Sequence, residues 1–350
     1  MIKEAISKLV ESKDLTDNEA KEAMLEIMEG KATESQISAF LMALRIKKET
    51  PTEFTAFAQI MREKSVRIAP KVKGRLVDTC GTGGAPLKTF NISTVSAFVA
   101  AGAGVPIAKH GNRCVTSKCG SADVLEALGA NISQEPSLVE KSIESLGIGF
   151  LFAPTFHPAM KYAIKTRKEI GIRTVFNILG PLTNPAGAKG QLIGVFSEEL
   201  VKKIPPVIQK LGIEHGLVVY GIDGLDEIST LGKTMIGEVN DGGIKYFELS
   251  PSDLGFKTAN QKNITISTVD EGARIMKRVL SGDEKNNERN DIVMANAGAA
   301  IYVGGKADSI TDGIELAKES VKSGRAYKKL TEFIKFSGGI LKESSALRRF

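Results

Sequence analysis

The 350-residue chain has 47 lysine and arginine residues against 41 aspartate and glutamate residues, a formal net charge of +6 at pH 7. Hydrophobic residues make up 42% and charged residues 25%, as in ordinary globular proteins. No wholly apolar run reaches the roughly 18–20 residues of a membrane span, and the N-terminus has no signal-peptide pattern. Three cysteines cannot all pair and match no zinc spacing. We therefore expect a cytoplasmic protein of one large or two modest domains, whose charge suits anionic small molecules as well as nucleic acid.

Residues 1–70 are predicted to form four helices and no strand. Apolar residues recur at helical spacing four times in this segment. Three of the helices are preceded by a threonine that can cap a helix start, namely Thr16, Thr33 and Thr50. The pattern predicts a small all-helical domain with helices at residues 2–10, 20–28, 36–44 and 53–61.

From residue 75 onward, apolar strand-like runs alternate with helical segments, and a hairpin signal lies between residues 235 and 249. Such alternation is typical of a mostly parallel sheet with helices on both faces. The fold class is therefore predicted as α/β, with a small helical domain (1–70) and a large α/β domain (75–350). Functional loops are expected beyond the carboxyl ends of the strands. The predicted strands are 76–77, 105–108, 147–152, 192–196 and 217–220.

A glycine-rich turn follows the first predicted strand. It has the sequence GTGG at residues 81–84, and the hydroxyl-rich run NIST at residues 91–94 opens the next helix. Glycines let the backbone approach a ligand closely, and the free N–H groups and dipole at a helix start favour anions. A ligand-free turn with simple helix caps is the plain alternative, and a dinucleotide motif fits poorly because the third spaced glycine is missing. Loop and hydroxyls together favour a phosphorylated small molecule.

The run KHGNR at residues 109–113 ends the second predicted strand and places two cations beside the same turn. A lone histidine there would more often be structural, and a lone Lys/Arg pair would more often face solvent. Next to the glycine loop, the cluster is better explained as the lining of a pocket. The run SKCGS at residues 117–121 adds further hydroxyl and cationic groups.

Two pairs of charged residues farther along the chain could complete the site. Arg167 and Arg173 precede an apolar stretch that leads into a predicted turn at residues 180–181. A helix ending in a loop is the plain alternative, but a guanidinium is well suited to binding a carboxylate. Asp226 and Glu227 follow the last parallel strand, and adjacent acids are by default a solvated pair. Beside a polyphosphate they are candidate Mg²⁺ ligands.

In combination, these motifs resemble the anthranilate phosphoribosyltransferase family of tryptophan biosynthesis, along essentially the whole chain. The motifs are GTGG, FNIST, KHGNR, GSAD, RTVFNILGPLTNP and DGLDEIS. The resemblance implies transfer of the 5-phosphoribosyl group from 5-phosphoribosyl-1-pyrophosphate to the amine of anthranilate, with Mg²⁺ as cofactor. It also implies a homodimer joined through the small helical domain, which an insertion near residues 160–185 completes.

The resemblance further implies roles for individual residues, with Lys109 and His110 as catalytic groups and His110 positioning the amine more than accepting its proton. Mg²⁺ is assigned to Ser93, Asp226 and Glu227. Anthranilate is assigned to Gly81, His110, Asn112, Arg167 and Pro181. Phosphoribosyl pyrophosphate is assigned to Gly81, Thr82, Gly83, Gly84, Thr89, Asn91, Ser93, Thr94, Lys109, Cys119 and Ser121.

The sequence departs from the family pattern at Ala85 and Pro86, where an acidic residue and a glycine are usual, and at Cys119, where serine is usual. Alanine cannot hold a cation and proline lacks an N–H, so the loop is expected to bind its ligand differently. Two alternatives stay open. A nucleoside phosphorylase would share the loop and the helical domain but gives no reason for Arg167. A non-catalytic nucleic-acid-binding relative would suit the net charge. Such a protein need not keep the run KHGNR or the acidic residues Asp226 and Glu227, so no nucleic-acid partner is expected.

Overall fold

The structure is a computed structural model and describes residues 1–113, 119–241 and 243–342. Four helices precede the first strand, as predicted. Three of them begin at a capping box, in which a threonine hydroxyl accepts a hydrogen bond from the backbone N–H three residues on and that residue's side chain bonds back to the threonine N–H. The capping threonines are those nominated from the sequence. The helices are α1 (Ile2–Val10), α2 (Asp17–Met28), α3 (Glu34–Lys47) and α4 (Pro51–Glu63).

Seven strands form one sheet in the order β3-β2-β1-β4-β5-β6-β7. The first five are parallel, and the last two add an antiparallel hairpin, so the predicted mostly parallel sheet is confirmed. The strand order reverses between β1 and β4, and ligands of open α/β sheets bind outside the carboxyl ends of the strands at such a point. The strands are β1 (Val77–Thr79), β2 (Ile107–Gly111), β3 (Ile148–Phe152), β4 (Gly190–Gly194), β5 (His215–Gly221), β6 (Thr234–Asn240) and β7 (Gly243–Leu249).

Helices cover both faces of the sheet. Successive residues of β5 show this, because Leu217 belongs to the hydrophobic core on one face and Val218 to the core on the other. The remaining described helices are α5 (Ile92–Gly102), α6 (Ser121–Ala127), α7 (Pro136–Leu146), α8 (Ala153–Phe156), α9 (Lys161–Ile170), α10 (Val175–Leu182), α11 (Glu198–Lys210), α12 (Gln261–Ile264), α13 (Val269–Ser281), α14 (Asn287–Val303), α15 (Ile310–Lys322) and α16 (Arg325–Phe336).

Two of these helices run through prolines. Helix α10 includes Gly180 and Pro181, so the turn predicted there is wrong. Helix α11 contains Pro205 and Pro206, and no helix was predicted in that segment. A proline inside a helix removes a hydrogen bond, but packing offsets the loss in α11. The Pro205 Cγ lies 2.6 Å from where a Cβ on Gly237 would stand, so the absence of that side chain lets α11 approach β6 closely.

The segment that contains α9 and α10 packs on the N-terminal helices. The Lys165 Nζ lies 2.8 Å from a carboxylate oxygen of Glu34, and the Tyr162 ring covers Gly30. Ala163 of α9 shares a hydrophobic core with α1 to α4. Helix α9, which follows strand β3 in the chain, is therefore packed against helices that are remote from it in sequence. No helix in the described part of the chain has both the length and the apolar character needed to cross a bilayer.

Candidate active site

A cavity of about 550 Å³ opens where the loops after β1, β2 and β5 meet the helices α8, α9 and α10. Every residue to which the family resemblance assigns a ligand or a catalytic role lines it, although the individual ligands stay predictions, whereas Arg173 does not. The assigned residues are Gly81, Thr82, Gly83, Gly84, Thr89, Asn91, Ser93, Thr94, Lys109, His110, Asn112, Cys119, Ser121, Arg167, Pro181, Asp226 and Glu227. The cavity therefore lies where it was expected, beyond the carboxyl ends of the parallel strands.

The glycine loop (residues 81–84) is tied to its neighbours by two of its own amides. The N–H of Thr82 donates to the last carbonyl of β4 at 2.8 Å, and the N–H of Gly83 donates to Oδ2 of Asp226 at 2.9 Å. Gly83 and Gly84 have φ values of +66° and +84°, which non-glycine residues rarely adopt. Within the described chain, the amides of Gly84 and Ala85 donate to no protein acceptor. The loop thus offers fewer amides to an anion than its sequence suggests.

The N-terminus of α5, predicted to attract an anion, already faces a carboxylate of the protein. The N–H of Ser93 donates to Oε1 of Glu227 at 3.1 Å, and the Ser93 carbonyl accepts from the Thr79 hydroxyl at 3.0 Å. The neighbouring Thr94 hydroxyl is buried and has no hydrogen-bond partner among the described residues. A ligand in the cavity can therefore use the side chains of this turn, whereas the Ser93 amide is occupied.

Asp226 and Glu227, here called the acid pair, are enclosed on most sides by protein. Burial and then the neighbouring Asp226 raise the pKa of Glu227 to about 8, and burial also raises the pKa of Asp226. Each accepts one backbone N–H, from Gly83 and Ser93 respectively. Such a pair lacks sufficient positive charge around it, and carboxylate oxygens are the ligands that Mg²⁺ prefers. The acid pair therefore fits a divalent cation.

Lys109 and His110 lie at the end of β2. Lys109 is 4% exposed, and its Nζ donates to the His110 carbonyl at 3.1 Å. Nδ1 of His110 lies 3.1 Å from the carbonyl oxygen of Gly180. Because a carbonyl only accepts, Nδ1 carries the proton and Nε2 keeps its lone pair. Burial, His157 and Lys109 hold the pKa of His110 well below its usual range, so the imidazole is neutral and suited to accepting a hydrogen bond.

His157 is a cavity residue that the sequence analysis missed. Its ring centroid lies 5.1 Å from that of His110, and burial lowers its pKa to about 4. Within the described chain, Nε2 of each ring is buried without a hydrogen-bond partner. One signal could have found it, since His157 follows closely on the carboxyl end of β3.

Arg167 projects from α9 against an aromatic ring. Its guanidinium carbon lies 5.3 Å from the ring centre of Phe176, and burial lowers its pKa. No carboxylate of the described residues forms an ion pair with it. Pro181 lies nearby in sequence on α10, and its carbonyl accepts from the Gln191 amide at 2.8 Å. An unpaired guanidinium beside an aromatic surface is a suitable site for an aromatic carboxylate.

Both cations of the run KHGNR line the cavity, and one of them is already paired with carboxylates of the protein. Arg113 is paired with Glu126 and Asp123 of α6, so its charge is already neutralised. Ser117 and Lys118, also nominated from the sequence, lie outside the described residues.

Hydrogen bonds fix the adjoining wall of the cavity. The Asn91 amide donates to the Cys119 carbonyl at 3.1 Å, and the Cys119 thiol donates to Oδ1 of Asn91 at 3.0 Å. The Ser121 hydroxyl donates to the Asn112 carbonyl at 3.3 Å. Cysteine at position 119 therefore keeps a donor where the family usually has a serine.

A second group with metal-binding geometry lies at the cavity wall, where Cys80 and His110 line the cavity, and was not predicted as a metal site. Side-chain atoms of Asp78, Cys80 and His110 lie within 4.8 Å of one another. Asp78 accepts from the His110 N–H at 3.0 Å and from the Asn184 amide at 2.8 Å, and burial raises the pKa of the Cys80 thiol to about 12. A protonated thiol and an imidazole engaged through Nδ1 suit Mg²⁺ poorly. The acid pair is the better site for that ion.

The comparison with known proteins agrees with this geometry. A model of the glycosyl transferase family a/b domain matches residues 73–327, and a model of the glycosyl transferase family helical bundle domain matches residues 3–65. The anthranilate phosphoribosyltransferase of Methanocorpusculum labreanum is 54% identical over 97% of this chain and 99% of the relative. The chain belongs to the anthranilate phosphoribosyltransferase family.

Solved structures of the family share the fold. The anthranilate phosphoribosyltransferase of Thermus thermophilus is 41% identical, with a TM-score of 0.90 over 95% of this chain and 99% of that one. The Saccharomyces cerevisiae enzyme in complex with PRPP and Mg is 30% identical, with a TM-score of 0.88 over 96% and 98%. The same yeast enzyme in complex with 4-fluoroanthranilate gives a TM-score of 0.86 at 30% identity over 96% and 97%. The predicted fold and family are confirmed.

Proposed function

We propose that this chain transfers the 5-phosphoribosyl group from 5-phosphoribosyl-1-pyrophosphate (PRPP) to the amine of anthranilate and releases pyrophosphate. One observation carries the proposal: a single cavity holds the acid pair and the glycine loop together with the guanidinium of Arg167 over Phe176. The first group of residues suits a polyphosphate with its metal, and the second suits an aromatic carboxylate. The yeast relative forms complexes with PRPP and Mg and with 4-fluoroanthranilate.

The PRPP end of the cavity is formed by the glycine loop, the start of α5 and Lys109. The amides of Gly84 and Ala85 and the unpartnered hydroxyl of Thr94 are available to phosphate oxygens. The acid pair would hold Mg²⁺, which when bound offsets the negative charge that grows on pyrophosphate as it leaves. The buried Nζ of Lys109 acts on the same charge, and preorganised charges in an enclosed site stabilise a leaving group most effectively.

The anthranilate end positions an amine that is already a competent nucleophile. Its nitrogen bonds to the anomeric carbon while the bond from that carbon to pyrophosphate breaks, and the electron pair departs with pyrophosphate. Arg167 holds the carboxylate, and Nε2 of neutral His110 accepts a hydrogen bond from the amine. The low pKa of His110 means that the imidazole orients the amine without retaining its proton, and the proton that the new N–C bond releases passes to the departing pyrophosphate or to water. Orientation of the two reactants is therefore the main contribution of this end.

A fluorescence assay tests the proposal. The purified chain is mixed with Mg²⁺, PRPP and anthranilate, and the loss of anthranilate fluorescence is followed, with PRPP omitted as the control. Steady loss of fluorescence that requires both PRPP and Mg²⁺ supports the transferase. Phosphorolysis of nucleosides in place of anthranilate consumption would favour the nucleoside phosphorylase alternative and contradict the proposal.

We also propose that α9 and α10 complete the small helical domain and that two copies associate through it in the cytoplasm. The packing of α9 on α2 and α3 supports the first part. Two apolar side chains at the ends of neighbouring helices support the second, since Val10 and Ile46 are 72% and 76% exposed. Exposed apolar residues of this kind are typical of surfaces that bind another protein.

A further inference from the structure

We propose that Arg173 is a positioning residue that holds the glycine loop in its PRPP-binding shape from the side of the helical insertion. This role rests on the proposed function, because it concerns the binding of PRPP. Arg173 lies between α9 and α10 and is absent from the residues that line the cavity. It therefore acts on the site through other groups.

The guanidinium of Arg173 joins the insertion to two loops of the sheet. Its Nη2 donates to the carbonyl oxygen of Gly84, and its Cζ lies 4.7 Å from the ring centre of Phe196, just after β4. The Nε atom is 2.6 Å from where a Cβ on Gly84 would stand. Position 84 therefore needs glycine for two reasons, its positive φ and the closeness of Arg173.

Holding this carbonyl determines where the next amide points. A trans peptide is planar, so the C=O of Gly84 and the N–H of Ala85 point in opposite directions. Ala85 lines the cavity and Arg173 does not, so a Gly84 carbonyl turned toward Arg173 leaves the Ala85 N–H pointing toward the cavity. Pro86 has no N–H, and the amides of Thr82 and Gly83 are already used. The donor that Arg173 orients is thus one of the few that the loop retains.

The glycine loop is also joined to the loop of the acid pair. The Gly83 N–H donates to Asp226, and the Pro86 Cγ lies 2.9 Å from where a Cβ on Gly224 would stand. A change at Arg173 should therefore disturb PRPP and Mg²⁺ binding while leaving the anthranilate end, built on α9 and α10, in place.

Arg173→Met tests the role, because methionine keeps the apolar stem over Phe196 but removes the charge and the donors. We expect the KM for PRPP to rise roughly tenfold or more, as for a lost charged hydrogen bond. The KM for anthranilate should stay within about twofold, and Arg173→Lys should recover part of the loss by restoring the charge. Lys165→Met is the matched control, since Lys165 is a cation of the same insertion whose partner, Glu34, belongs to α3.

Calorimetric titration of PRPP with Mg²⁺ into each variant, without anthranilate, gives a readout that is independent of turnover. Weaker PRPP binding by Arg173→Met alone supports the role. Unchanged PRPP binding, or an equal rise in both KM values, contradicts it. If Arg173→Met does not fold, the same comparison is made with Arg173→Lys. An inactive wild-type chain would contradict the proposed function, whereas an active wild type with an unaffected Arg173→Met contradicts only the role of Arg173.

Discussion

Arg167→Met should weaken anthranilate binding without lowering stability. Methionine keeps an apolar stem against Phe176 but removes the charge that is proposed to hold the substrate carboxylate. A hydrogen bond to a charged group contributes about 1.5–3 kcal/mol, so the KM for anthranilate should rise about tenfold to a hundredfold. Burial disfavours the charged guanidinium, and no carboxylate of the described chain is left unpaired by its removal. The free energy of unfolding should therefore stay unchanged or increase slightly.

The assay varies anthranilate at saturating PRPP and repeats the series with aniline, which has the amine but no carboxylate. Wild type and Arg167→Met should differ strongly with anthranilate and little with aniline, because the deleted interaction requires the carboxylate. Lys168→Met, which removes the neighbouring exposed cation of α9, is the control for net charge. Unchanged anthranilate kinetics, or an equal loss with both amines, would refute the assignment of Arg167 to the carboxylate.

Three further predictions follow from the pKa values and the exposed surface. With a pKa of about 8, Glu227 must lose a proton when Mg²⁺ binds, so the Mg²⁺ concentration for half-maximal activity should rise about tenfold per pH unit below 8. Glu227→Gln should abolish this pH dependence. A wild-type Mg²⁺ requirement that does not change with pH would contradict the prediction. The pKa of His157 is lowered to about 4, so stability present above pH 6.5 should be lost, by about 3 kcal/mol, as the pH falls to 4. Urea unfolding should show that the free energy of unfolding falls less between pH 6.5 and pH 4 in His157→Gln than in the wild type. An identical fall in both proteins would argue against burial of a neutral ring. Ile46→Glu should convert a dimer to a monomer in light scattering, whereas Ile340→Glu, which changes an exposed residue near the other end of the chain, should not.

Local sequence signals determined much of the fold. Thr16, Thr33 and Thr50 marked helix starts because a capping box is formed by residues only three positions apart. The helices that run through Pro181 and Pro205 could not be predicted in this way. Proline disfavours a helix locally, and the contacts that compensate, such as that between Pro205 and Gly237, come from other elements.

The cavity was predictable from the sequence because its residues follow the carboxyl ends of neighbouring parallel strands. Which donors remain available to a ligand was not predictable. The bond from Gly83 to Asp226 spans 143 positions, and the bond from Arg173 to Gly84 spans 89. Motif spacing carries no information about such pairings, so free amides were expected where the protein itself supplies the acceptor.

The departure at Ala85 and Pro86 shows how the same loop can be held by different means. Proline removes one amide from the loop, but its ring packs on Gly224, whose φ of +96° and missing side chain leave room for it. Alanine has no carboxylate to offer a metal, so the proposed Mg²⁺ site relies on the carboxylates of the acid pair. The apolar contact between Pro86 and Gly224 and the hydrogen bond from Gly83 to Asp226 then hold the glycine loop close to the loop of the acid pair. The glycine loop is therefore one part of a unit whose other parts are the acid pair and Arg173.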